Sequence, residues 1–148
     1  QYNLGFMYDN GQGVPQDYKT AVKWYTLAAE QGDAYAQTNL GVMLWDNLHI
    51  VNQRNQQGWG VTRDYKKAVK WFKLAAEQGE AIAQNNLGKM YDNGDGVPQD
   101  YKNMVKWSRL AAEQGDVLLD IYYASLTDKR RMRKVQRRRD IDSFNKIS

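Results

Sequence analysis

Residue types that do chemistry are scarce in this chain, and their spacing decides what they could support. His49 is the only histidine in 148 residues, and there is no cysteine. A zinc site needs several imidazole, thiolate or carboxylate ligands together, and a Ser-His-Asp or Cys-His arrangement needs an oriented base beside its nucleophile. Nothing near His49 supplies either, so the ring reads as a partly exposed histidine. Asp92-Asn93-Gly94-Asp95-Gly96 has the look of a calcium loop. Such a loop requires an oxygen ligand where Gly94 stands and a glutamate to close it. Turn chemistry is the better reading. The pairs Gly11/Gly13 and Gly94/Gly96 follow helical rather than strand patterns, which argues against a phosphate cradle. No catalytic residue, metal or cofactor is expected, and the chain reads as a non-enzyme.

The other chemically loaded stretch lies near the C-terminus. Lys129, Arg130, Arg131, Arg133, Lys134, Arg137, Arg138 and Arg139 place eight cations within eleven residues. Residues 128–148 hold nine Lys/Arg against three Asp/Glu, whereas residues 1–127 hold twelve against fourteen. The tail alone makes the protein basic. It could contact nucleic acid, an acidic protein or anionic lipid, or be a solvated or capping segment. Met132, Val135, Ile141, Phe144 and Ile147 do not form one stripe on a helix, which weighs against an amphipathic membrane helix. No aromatic residue interleaves the run, which weakens single-strand binding.

The elements that would position any site are repeats. Asp64 to Gly79 recurs as Asp17 to Gly32 and Asp100 to Gly115, with twelve of sixteen positions identical in all three copies. Leu4, Leu40 and Leu87 correspond, as do Trp24, Trp71 and Trp107; the unit is 36 residues, and one copy carries eleven more. A period of this size marks stacked supersecondary units. Hydrophobic content of 42% suits a folded domain, and no apolar run is long enough to span a bilayer.

Each unit reads as two helices. The first runs through Ala34 to Met43, Ala81 to Met90 and, already under way, Tyr2 to Met7. The second is the repeated phrase. Asp17, Asp64 and Asp100 are expected N-caps, and Gly32, Gly79 and Gly115 left-handed residues that close the second helix. Tyr18, Ala21, Val22, Tyr25, Ala28 and Ala29 form an apolar face that Trp24 and Leu27 are expected to widen. The tryptophans are assigned to the core. Gly5, Gly41 and Gly88 inside first helices predict close helix approach.

These residues resemble the Sel-one-like repeat (SLR) family, relatives of the tetratricopeptide solenoids. The motif is L-G-x-M-Y-x-x-G-x-G-V, then D-Y-x-x-A-x-x-W, then A-A-x-Q-G, and it covers residues 1–127. The resemblance implies an all-α fold, an α/α superhelical solenoid of about three and a half helix-turn-helix repeats. The repeats are 1–33, 34–80 with the insertion, 81–116 and a half repeat 117–127, followed by the basic tail 128–148. It implies first helices along the concave side and an adaptor role, often in bacterial signalling, envelope functions or host contact. Cysteine-rich relatives are linked to β-lactam binding; this chain has none of their cysteines.

The sequence departs from the motif at Met104 and Ser108, where the earlier repeats have alanine and an aromatic residue, and between Met43 and Gly58. There, Leu44, Leu48 and Val51 at i, i+4 and i+7 predict an extended first helix to about Asn52, then a polar loop. The insertion is either a tolerated surface loop or a protrusion that contacts a partner through Trp45, His49 and Trp59. For the concave side, Asn3, Asn39 and Asn86 are expected to hold a peptide backbone, with Val42 and Lys89 one turn on for selectivity. The expected partner is a protein or peptide, with nucleic acid through the tail as the alternative and end-to-end self-association as a further possibility. Gln1 opens inside a repeat, so the natural N-terminus is expected upstream. Compartment is left open between cytoplasmic and exported.

Overall fold

The computed structural model describes residues 1–45 and 61–114. Within them are six helices and no strand: α1 (Tyr2–Asn10), α2 (Tyr18–Glu30), α3 (Ala34–Trp45), α4 (Tyr65–Glu77), α5 (Ala81–Asn93) and α6 (Tyr101–Ala112). Each packs on its predecessor and its successor, and α3 also touches α1 and α5. The result is an all-α row of three helix pairs, an arrangement held by neighbour contacts alone. The expected extension of α3 beyond Trp45, Gly115, the half repeat 117–127 and the tail 128–148 lie outside the described residues.

Local chemistry sets the boundaries. Asp17, Asp64 and Asp100 are extended residues whose carboxylates accept from the amides of Thr20, Lys67 and both Lys102 and Asn103. Each closes part of the unpaired first turn of a second helix. At the other end Gly32 and Gly79 take φ of +94° and +91°. That lets the Asp33 amide reach the Ala28 carbonyl at 3.1 Å and Glu80 reach Ala75 at 3.1 Å. The chain reverses within three residues and starts the next first helix. Asp33 and Glu80 then cap that helix through the amides of Ala36 and Ala83.

The core is built from one repeated contact. Gly5, Gly41 and Gly88 face the side chains of Tyr25, Phe72 and Ser108 on the paired second helix; a Cβ at Gly41 would lie 2.7 Å from the Phe72 ring. Glycine lets each ring press on the opposing backbone, and Tyr25 and Phe72 are fully buried. Burying such a ring stabilises by roughly 1.5–3 kcal/mol. Ala21, Ala28, Ala29, Ala68, Ala75 and Ala76 complete the same face at 5% exposure or less.

Two core assignments need correcting. Leu27 and Leu74 are 44% and 39% exposed. At 100° per residue Leu27 sits roughly 160° around α2 from Tyr25, outside the arc covered by α1 and α3. Of Trp24, Trp71 and Trp107, only Trp107 is buried; Trp24 and Trp71 are half-buried at the edge of the arc. Leu4 is 39% exposed, against 2% and 0% for its equivalents Leu40 and Leu87.

Candidate interaction face

The first helices carry the residues expected to meet a partner. Asn3 is exposed on α1, beside a depression of about 630 Å³ that Tyr2, Gln31 and Asp33 also line. Asn39 and Val42 on α3 are half-buried, Val42 against the core. On α5, Asn86 is 8% exposed and Lys89 half-buried. The matching asparagines thus range from open to covered, and Asn39 has an internal partner. It hydrogen-bonds the Tyr25 hydroxyl, which donates to the Asp9 carboxylate at 3.1 Å. Burial pushes the Asp9 carboxyl up, and the Tyr25 hydrogen bond offsets part of that. Burial and the Asp9 charge push the Tyr25 hydroxyl far above the usual phenol range. That unit ties α1, α2 and α3 together.

Two larger side chains on this face escaped the sequence reading. Tyr35 and Ile82 are 64% and 58% exposed, the most open of the large apolar residues described. They occupy equivalent positions, each one turn before its asparagine. Residues at i, i+4 and i+7 share a face, so Tyr35, Asn39 and Val42 form one stripe and Ile82, Asn86 and Lys89 the next. Tyr35 also lies against Tyr2 of α1, ring centroids 6.1 Å apart. The shared register of a tyrosine and an isoleucine was the available signal.

A second missed feature is a glutamine clasp. The Gln37 amide donates to the Ala29 carbonyl at 3.0 Å, and its oxygen accepts from Gln78 at 2.9 Å. Gln84 repeats this with the Ala76 carbonyl at 3.1 Å and Gln114 at 2.9 Å. Each glutamine adds a second hydrogen bond to a carbonyl in the last turn of one second helix, which already accepts from the Gly32 or Gly79 amide, and joins that helix to the next. The face is therefore mounted on a rigid spacing.

Trp45 is engaged within the molecule. Its indole N–H donates to Asp95 at 2.9 Å, and its ring meets Phe72 edge-on at 6.1 Å. His49, Trp59 and the eight cations from Lys129 to Arg139 lie outside the described residues. Among the described residues no three acidic or imidazole side chains form a metal site, and no helix is long and apolar enough to cross a membrane.

Paired helices stacked in a row, with an open apolar side chain repeated at one position of successive first helices, define an α-helical repeat protein. The family profile described as Sel1 repeat matches residues 1–33, 34–80 and 81–116. The chain belongs to the Sel1 repeat family, whose members are generally non-catalytic protein-interaction scaffolds. Over 41 residues it is 54% identical to the sel1-like repeat-containing protein L21 of Acanthamoeba polyphaga mimivirus, a stretch covering 28% of this chain and 8% of that protein. Two solved structures share the fold. One is a protective antigen present in uropathogenic Escherichia coli strains and displaying an SLR fold: TM-score 0.68, 47% identity, 80% of this chain and 23% of that one. The other is a Sel1 repeat protein from Oxalobacter formigenes: TM-score 0.69, 34% identity, 82% of this chain and 46% of that one. The chain thus spans under half the length of each.

Proposed function

We propose that this chain is a non-enzymatic scaffold that holds a protein or peptide segment along its first-helix face. One observation carries the reading: Tyr35 and Ile82 stand open at the same position of successive first helices, each in line with an asparagine. An extended segment lying across the row would seat apolar side chains against Tyr35 and Ile82. Asparagine amides beside them can pair with a peptide backbone as both donor and acceptor. α3 touches both α1 and α5, so the first helices form one continuous side. Aromatic anchors ringed by polar groups are also where interfaces concentrate binding energy.

The test uses a partner recovered by pull-down and reduced to its binding segment. Tyr35→Ser with Ile82→Ser should weaken binding by at least about tenfold, the effect of losing roughly 1.4 kcal/mol or more. Asn39→Ala with Asn86→Ala should weaken it less, because Asn39 is tied to Tyr25 and Asn86 is only 8% exposed. Unchanged affinity in both double variants would rule out the first-helix face.

A further inference from the structure

The opposite side of the row carries a second surface of different chemistry. α2 and α4 do not close on each other, and a slot of about 260 Å³ runs between them with α3 as its floor. Leu40 and Leu44 form the floor, Val22 and Thr26 one wall, and Trp71 the other. The Thr26 hydroxyl donates to the Val22 carbonyl at 2.7 Å, so that wall has no hydroxyl proton to offer a ligand. Lys67 and Lys70 stand at the rim on the Trp71 side, both exposed. Lys70 also lies over the Trp71 ring, 5.2 Å from its centroid.

The rim belongs to a larger charge pattern. Lys19, Lys66 and Lys102 are equivalent, as are Lys23, Lys70 and Lys106, and all are exposed. Acidic side chains on or capping these helices sit at their ends; the capping carboxylates accept from first-turn amides, and Asp64 also pairs with Lys67 at 3.8 Å across an exposed surface. One turn beyond Lys23 and Lys70, Leu27 and Leu74 are left open at 44% and 39% exposure. A solvated charged face needs neither an apolar slot nor exposed leucines. The slot is also smaller than the roughly 300–1,000 Å³ typical of small-molecule pockets. It suits side chains of a chain crossing it.

We infer that the second-helix face docks an acidic protein segment, whose apolar side chains enter the slot between α2 and α4 while its carboxylates meet Lys23, Lys67 and Lys70. Charge complementarity selects the partner's sign, and the slot with Leu27 and Leu74 selects its amphipathic pattern. This site is separate from the first-helix face.

The probe is a fluorescein-labelled, glutamate-rich helical peptide with leucine at i, i+4 and i+7, titrated against the full chain by anisotropy. The expected result is saturable binding, weakened at least about tenfold by Lys67→Glu with Lys70→Glu. Plugging the slot with Thr26→Trp should weaken it comparably, and Tyr35→Ser with Ile82→Ser should leave it unchanged. Both lysines are exposed, so the charge variant tests the site even if the plug disturbs folding. The inference is overturned if the peptide does not bind, or if a serine-for-leucine version binds equally well. It is also overturned if vesicles of phosphatidylserine and phosphatidylcholine bind the plugged variant as they bind the parent while the peptide does not discriminate. That pattern would assign the lysines to an anionic surface.

Discussion

Gly41 shows how one absent methyl group sets the spacing of a helix pair. In an exposed helix, Gly→Ala stabilises by about 1 kcal/mol. Here the added Cβ would stand 2.7–3.0 Å from three atoms of the Phe72 ring, which is fully buried and has nowhere to move. Gly41→Ala should therefore destabilise by roughly 1–3 kcal/mol, the usual cost of overpacking. Gly88→Ala meets the Ser108 hydroxyl at 2.8 Å instead. That atom swings away by rotation about χ1, so Gly88→Ala should cost less than Gly41→Ala in urea unfolding. Equal losses would mean the ring contact is not what fixes the pair. The Ser108 hydroxyl is buried without a hydrogen-bond partner, and its removal by Ser108→Ala should be close to neutral.

At the scale of the element, helices and their limits were legible because each boundary rests on chemistry within a few residues. Asp17, Asp64 and Asp100 cap, and Gly32 and Gly79 reverse the chain, whatever lies around them. Burial was less legible. The phrase places leucine at 27, 74 and 110, yet Leu27 and Leu74 are open and Leu110 is half-buried. Periodicity identifies equivalent residues; the neighbours that cover them decide which are hidden. The same limit explains the site. Tyr35 and Ile82 looked like ordinary helix residues until the row left them uncovered, and Asn39 proved to be tied to Tyr25. The glutamine clasp was hidden in the repeated A-A-E-Q-G because its partners lie 30 or more residues away. Gln84→Ala would remove two hydrogen bonds made by a side chain only 4% exposed, one to the Ala76 carbonyl and one from the Gln114 amide. It should cost about 1–3 kcal/mol, whereas Gln31→Ala on the exposed surface should stay within about 0.5 kcal/mol. Comparable losses at the two positions would remove the clasp as the link between repeats.

Across the whole molecule, the contacts that space the first helices also set the spacing of Tyr35 and Ile82. Ring-on-glycine contacts fix the first two pairs and Gly88 on Ser108 the third, and the clasp and the Thr38–Glu80 hydrogen bond at 2.7 Å fix the pairs to one another. An array held only by neighbour contacts presents a long surface without a central pocket, which fits a scaffold that grips a chain rather than one that transforms a small molecule. Under the proposed function, the stripes Tyr35-Asn39-Val42 and Ile82-Asn86-Lys89 are the units of recognition. Site-specific photo-cross-linking measures this most directly: p-benzoylphenylalanine placed at Tyr35 and at Ile82 in the intact protein, with exposed Gln12 and Gln99 as controls. The expected result is one protein partner captured from both first-helix positions and neither control. Capture at the control positions with none at 35 and 82 would contradict a partner held along the first helices.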